Sequence, residues 1–217
     1  MSDVCVDIHT HFLSLHSQTI ELLQLSGDEC FSEDKPRFFS CGIHPWESAE
    51  KDVVKRCADI ESIASAQACM CVGECGIDRA CSVPVDIQMR VCEWQMHIAQ
   101  TYSKPLIIHC VRAYSDILHL LKKNTITVPV IFHDFNGNET QVTQLLAYNS
   151  YFSFGESLFR RSSQKFKLQY VPHECLFLET DDSLLHIEDV YQFVASHFAL
   201  PLADLQKIIY DNFKRCM

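Results

Sequence analysis

Six residues of this chain carry side chains that grip divalent metal ions, and they recur at similar places in the sequence: His9, His11, Glu74, His109, His133 and Asp181. Val-Cys-Val-Asp-Ile runs into His9, with His11 two residues further on. Cys-Met-Cys-Val-Gly runs into Glu74, Leu-Ile-Ile into His109, Val-Ile-Phe into His133, and Leu-Phe-Leu-Glu-Thr into Asp181. Imidazole and carboxylate together hold ions such as Zn²⁺, Mn²⁺ or Mg²⁺. A His-x-His pair at a strand end puts both rings on one side of the pleat, where they can share an ion. Six ligands, two of them carboxylates, exceed what one tetrahedral ion needs. The set therefore predicts two ions roughly 3.5–4 Å apart, with Glu74 as the candidate bridge. Such a pair lowers the pKa of a shared water and stabilises an oxyanion on the electrophile.

Taken singly, each residue has an ordinary explanation. His-x-His occurs on many surfaces, Glu74 has a turn setting between Gly73 and Gly76, and Asp181 beside Asp182 suits a helix N-terminus. The regular placement behind apolar runs favours the common site. His16, His97, His119, His173, His186 and His197 lie in helix or loop stretches and are expected to be surface or core residues.

Something must bring positions so far apart together. Short apolar runs alternate with longer amphipathic ones, the βα pattern. Strands are expected at 4–9, 38–42, 69–74, 105–109, 128–133, 151–154 and 175–180, with near-continuous apolar character suited to parallel strands buried on both faces. The stretch 19–25, Thr-Ile-Glu-Leu-Leu-Gln-Leu, is read as an eighth strand, although Leu, Glu and Gln also form helices well. Helices are expected at 85–102, 113–123, 139–148, 187–198 and 202–215. Asn138 and Gln141 form a capping-box pattern, and Pro201 separates the last two. The expected fold is α/β, a distorted TIM-type (β/α) barrel with helices trimmed or missing after strands 1 and 2. In such barrels, catalytic side chains gather at the C-terminal ends of the strands.

Composition narrows the class. The chain has 217 residues, 47% apolar and 21% charged, enough for one barrel domain over 1–217 with a sizeable core. No run nears the ~18 apolar residues of a membrane span, and the start lacks the basic-then-apolar pattern of a signal peptide. Its twelve cysteines do not pair into zinc-finger spacing. They are expected as reduced thiols, mostly buried, in a cytoplasmic protein. A formal net charge of −10 argues against broad electrostatic binding of nucleic acid, though bound ions can supply local positive charge. No row of exposed aromatics for stacking single strands is evident.

Ordered segments across nearly the whole length carry a resemblance. Val-Asp-Ile-His-Thr-His (6–11), Cys-Gly-Ile-His-Pro-Trp-Glu (41–47), Val-Gly-Glu-Cys-Gly-Ile-Asp (72–78), Lys-Pro-Leu-Ile-Ile-His-Cys-Val-Arg-Ala (104–113), His-Asp-Phe-Asn-Gly (133–137) and Leu-Glu-Thr-Asp (178–181) follow one another. The chain resembles the TatD-type metal-dependent deoxyribonucleases, amidohydrolase-like barrels. The resemblance implies His9 and His11 on one ion, Glu74 between two, His109 and His133 on the second, and Asp181 on the first ion as general base. It puts His44 at the mouth, touching a phosphate or hydrogen-bonding behind the ligands. Arg112 is placed to pair with a phosphate, or is an ordinary helix-start residue.

The sequence also departs from the family's pattern. Asp134 and Asn136 replace its usual Cys and Ser, Asp182-Ser183 replaces Ala-Pro, and the Arg-Asn-Glu-Pro loop is missing, with Glu188 the nearest stand-in for its glutamate. These positions bear on the pocket walls and hence on substrate choice. The leading expectation is a two-metal hydrolase acting as a DNA phosphodiesterase, of 3′-5′ exodeoxyribonuclease type. It would bind DNA weakly, with no membrane and no stable protein partner. Magnesium or manganese is expected in activity and zinc in purified protein. Two alternatives are a small-molecule hydrolase of amides, lactones, esters or phosphoesters with the same site, and a metal-binding protein without turnover; an intact Asp181 speaks against the last.

Overall fold

The structure is a computed structural model and describes residues 4–14, 19–25, 37–160 and 163–217. Eight strands form one sheet in chain order: β1 (Cys5–Thr10), β2 (Thr19–Leu25), β3 (Phe39–Cys41), β4 (Cys69–Asp78), β5 (Leu106–Val111), β6 (Val130–Phe132), β7 (Ser150–Phe154) and β8 (Leu176–Leu178). Every neighbouring pair is parallel. The sheet closes where β8 runs out. The Asp181 N–H donates to His9 O at 3.0 Å, and the His11 N–H donates to Asp181 O at 2.9 Å. The Asp7 carboxylate staples the same seam by accepting from the Thr180 N–H (3.1 Å) and hydroxyl (2.6 Å). The stretch 19–25 is therefore a barrel strand. Its Leu22 and Leu25 are buried, and pairing with β1 and β3 overrides the helix propensity of Leu, Glu and Gln.

The helices are α1 (Val53–Ala64), α2 (Val85–Thr101), α3 (Tyr114–Lys123), α4 (Glu139–Leu145), α5 (Ser157–Arg160), α6 (Ile187–Phe198) and α7 (Leu202–Cys216). Among the described residues none lies between β1 and β2 or between β2 and β3; residues 15–18 and 26–36 fall outside the description. The expected capping box is present on α4, with Asn138 accepting from the Gln141 N–H and the Gln141 side chain accepting from the Asn138 N–H. The chain leaves this helix as a 3-10 turn at Leu146–Tyr148, so the helical stretch expected to 148 is tighter at its end.

Helix α1 has no counterpart in the sequence reading. Its buried face is Cys57, Ile60, Ile63 and Ala64, too small and sparse a stripe to stand out among four acidic and basic residues. Strand β4 runs four residues past its expected end, to Asp78. Gly73 (φ 144°) and Gly76 (φ 149°) take conformations open to glycine, and a Cβ at Gly76 would collide with the His109 carbonyl oxygen.

The interior is aliphatic and aromatic. Phe132, Phe152, Phe154, Phe135 and Phe177 are all fully buried, with Phe132 and Phe152 stacked at 5.9 Å and Phe135 edge-on to Phe152 at 4.6 Å. Outside the barrel, the Tyr191 hydroxyl on α6 accepts from the Val6 N–H and donates to Val6 O, fixing the base of β1. Eight of the eleven described cysteines are buried, and Cys175 is half-buried.

Candidate metal centre

Backbone irregularity in two strands aims the first candidates. Along β1, Asp7 pairs with Glu21 but Thr10 with Leu23, so one extra residue is accommodated beside His9. Along β4, Val72 pairs with Leu106 but Cys75 with Ile108, and the extra residue falls at Glu74. A bulge of this kind turns a side chain out of the regular alternation and into the barrel mouth. His109 continues β5, His133 follows β6 directly, and Asp181 stands three residues beyond β8 with a positive φ of 55°. All six are at the C-terminal end of the barrel.

The two oxygens of Glu74 face different partners. Oε2 lies 3.5 Å from His9 Nε2 and 3.9 Å from His11 Nε2, and Asp181 Oδ1 lies 3.4 and 3.5 Å from the same two nitrogens. These distances are too long for hydrogen bonds. They match the edges of a polyhedron around one ion held at about 2.0–2.2 Å. Oε1 lies 2.7 Å from both His109 Nδ1 and His133 Nε2, which are 3.0 Å from each other. His44 Nε2 is 3.4 Å from Oε1. Grouped by ligand-atom proximity, the candidates form three overlapping sets: His9, His11 and Glu74; His9, His133 and Asp181; His44, Glu74 and His109.

The residues fit metal ions. Both ring nitrogens of His9, Nε2 of His109 and Nδ1 of His133 are buried without a hydrogen-bond partner, a costly state unless something else satisfies them. The electrostatics point the same way. Burial alone would raise the Glu74 pKa, yet His133 and His109 hold it well below the usual carboxylate range. Burial disfavours charge on His9, but Asp181 and Glu74 push its pKa well up. Burial likewise opposes charge on His133, and Glu74 drives it to about 9. Asp181 resists its own partial burial and falls to about 2 beside His9 and His133. His11, on the rim, is lowered by burial and by His9. The carboxylates thus demand positive charge at the imidazoles, which protons or metal cations can provide.

The structure brings His44 to this cluster and leaves Arg112 on the rim. His44 Nδ1 accepts from the Trp46 N–H at 3.3 Å, which assigns the proton of a neutral ring to Nε2, the atom facing the cleft. Arg112 follows β5 with φ 54° and is exposed, outside the lining of the cleft. That cleft, about 390 Å³, is walled by His11, Gln24, His44, Trp46, Glu47 and Asp182 around the candidate ligands. Asp134 and Asp182 both line a neighbouring recess with Glu156 and Arg160.

Four supporting residues escaped the sequence reading. Glu179, wholly buried, accepts from the Asp134 N–H at 2.6 Å and from the Ser153 hydroxyl, and its Oε1 stands 3.9 Å from His133 Nδ1; burial raises its pKa to about 7. Asp78 stands behind His109, 3.6 Å from Nε2. Gln88 clasps the Asp78 backbone, and Gln95 accepts from the Ile43 N–H (2.7 Å) while donating to Ile43 O (3.0 Å), fixing the residue before His44. A signal existed: Gln88 and Gln95 are polar residues seven apart on the buried face of α2.

Comparison with known proteins decides the family. Residues 10–217 match the family described as TatD related DNase. The chain belongs to that family. It is similar to the uncharacterized metal-dependent hydrolase YcfH of Escherichia coli K12, 25% identical over 82% of this chain and 72% of YcfH. It is 27% identical to the 3'-5' ssDNA/RNA exonuclease TatD of Edwardsiella piscicida, over 82% of this chain and 67% of that protein. The crystal structure of YJJV, a TatD homolog from Escherichia coli K12, shares the fold, with a TM-score of 0.85 at 18% identity over 100% of this chain and 99% of the other. The protein is thus a metal-dependent hydrolase of the TatD family on a TIM-type barrel.

Proposed function

We propose that this TatD-family chain, acting as one domain over residues 1–217, hydrolyses phosphodiester bonds at the 3′ end of single-stranded nucleic acid, DNA foremost. The observation that carries the reading is the division of the two Glu74 oxygens between two imidazole sets at an open mouth. Relatives named as 3'-5' ssDNA/RNA exonucleases support the substrate class. His9, His11, Glu74 and Asp181 would hold one divalent ion, and Glu74, His109 and His133 a second. When bound, magnesium, manganese or zinc ions supply Lewis-acid polarisation of the phosphate and acidify a water.

The chain's own residues do the rest. Asp181 is ionised at neutral pH and half-open to the cleft, so its carboxylate accepts the proton of the attacking water. His44 Nε2–H donates to a phosphate oxygen. Arg112, on the rim, pairs with a phosphate further along the strand. The net charge of −10 keeps the remaining contacts few and affinity strongly salt-dependent. A cytoplasmic setting suits cysteines that are mostly buried, and among the described residues no helix is long and apolar enough to cross a membrane.

The cleft volume also favours a second reading. A space of about 390 Å³ is near the lower end for small-molecule sites, and a single ester, lactone or phosphoester would fill it. The deciding experiment incubates metal-stripped protein with 5′-labelled single-stranded DNA, adds back Mg²⁺, Mn²⁺ or Zn²⁺, and uses Glu74→Ala as control. Stepwise shortening from the 3′ end that needs metal and vanishes in the variant is expected. No cleavage by protein with two ions bound would discard the nuclease reading and move the search to acyl and phosphoester substrates.

A further inference from the structure

Within the nuclease reading, on which this inference rests, we propose that Trp46 is a stacking platform for the nucleobase of the nucleotide being removed. The residue lines the cleft beside His44 and Glu47, and at 61% exposure it is the most exposed of the described Phe, Tyr and Trp residues. Its position is nonetheless fixed. The indole Nε1–H donates to Asp78 Oδ2 at 2.6 Å, and Asp78 is itself buried, with Oδ1 accepting from the Ala80 N–H and the backbone clasped by Gln88. The ring stands perpendicular to His44 at 4.7 Å and at 74° to His109 at 6.3 Å.

An aromatic side chain with its polar edge bonded to a buried carboxylate and its body in water is pre-organised to accept a flat partner, because little rotamer freedom remains to be lost. A base attached to a phosphate near His44 is such a partner. Base stacking is also a salt-insensitive source of affinity, which an acidic protein with few phosphate contacts needs. Every base has a π-face, so the platform senses whether a base is present and tolerates which one it is. A single indole is enough for this and needs no row of aromatics.

The test uses the metal-loaded full chain and two oligonucleotides, one ending 3′ in an ordinary nucleotide and one in an abasic residue. Trp46→Ala is expected to raise KM about 10-fold for the first, with kcat little changed, and to leave the second as in wild type. Trp46→Phe, which keeps a ring, should retain most of the wild-type preference. A direct readout exists because the chain has two tryptophans, Trp46 and Trp94. In a Trp94→Phe background, a non-hydrolysable oligonucleotide with a 3′ base should quench the remaining emission, and its abasic counterpart should not. Cleavage in which Trp46→Ala keeps the wild-type ratio between the two substrates, or binding without quenching, overturns the platform while leaving the nuclease reading intact. If wild-type protein neither cuts nor binds either oligonucleotide, both fall together.

Discussion

The chemistry of single residues here turns on charge held where water is scarce. Asp181 faces two imidazoles through one oxygen and is accessible from the cleft. Asp181→Asn keeps its size and removes the proton acceptor. We expect single-turnover cleavage to slow by about 10²–10⁴-fold, with binding at the Glu74, His109 and His133 side retained; a wild-type rate would remove Asp181 from the role of base. Glu179 acts one layer further out. It holds the Asp134 N–H and Ser153 hydroxyl and faces His133 without touching the cleft centre. Glu179→Gln preserves both hydrogen bonds in outline and deletes a carboxylate behind an imidazole. Manganese affinity measured by calorimetry should fall about 10- to 100-fold, with the fold intact, since Gln matches Glu179 in size, and burial, which raises the Glu179 pKa to about 7, already disfavours its charge. Unchanged affinity would reduce Glu179 to a packing residue.

At the scale of elements, the barrel mouth is placed by helix side chains that reach into strands. Gln95 on α2 satisfies both backbone groups of Ile43, one residue before His44. Gln95→Leu fills similar space and leaves a buried N–H and C=O without partners. The expected loss is about 2 kcal/mol or more in denaturant unfolding, together with a rise in KM as His44 drifts. A variant as stable as wild type would mean that water replaces the amide. Strand placement was largely legible in the sequence, because apolar runs such as Leu106–Ile108 and Val130–Phe132 are buried on both faces and admit few other readings. The boundaries of β4 were not. Whether Cys75 to Asp78 extend the strand depends on pairing with Ile108 to Val111, a contact between residues more than thirty positions apart.

The whole molecule couples metal and fold. Ligands that bind only the folded state stabilise it by mass action, about 2.7 kcal/mol at one hundred times Kd. For a chain of this size that is roughly 5–10 °C in Tm. Thermal scans with Mn²⁺ against a chelator should show this gain. The pH dependence has a definite sign. In the metal-free chain, the folded His133 pKa of about 9 lies above the ordinary 6.5, so its protonated form contributes stability that is complete below 6.5 and lost as pH rises through 9. A metal ion needs the same imidazole deprotonated. The Tm gain from metal should therefore grow as pH rises across that window, and a gain that shrinks would argue against imidazole ligation.

The sequence by itself determined the class of chemistry, the barrel and the six candidate ligands. Side-chain chemistry and burial are local properties, written in which residues follow which apolar runs. Their division into two sets around Glu74 was decided by the tertiary structure, because it depends on bulges in β1 and β4 and on the direction of each carboxylate oxygen. The roles of Glu179, Gln95 and Asp78 were likewise decided by the fold, since what a buried polar residue does depends on the partner it meets across the barrel. Trp46 makes the same point in one residue. Its type and neighbours in Gly-Ile-His-Pro-Trp-Glu could be read directly, but only closure of the barrel set its indole N–H on Asp78 and made the residue part of the cleft wall.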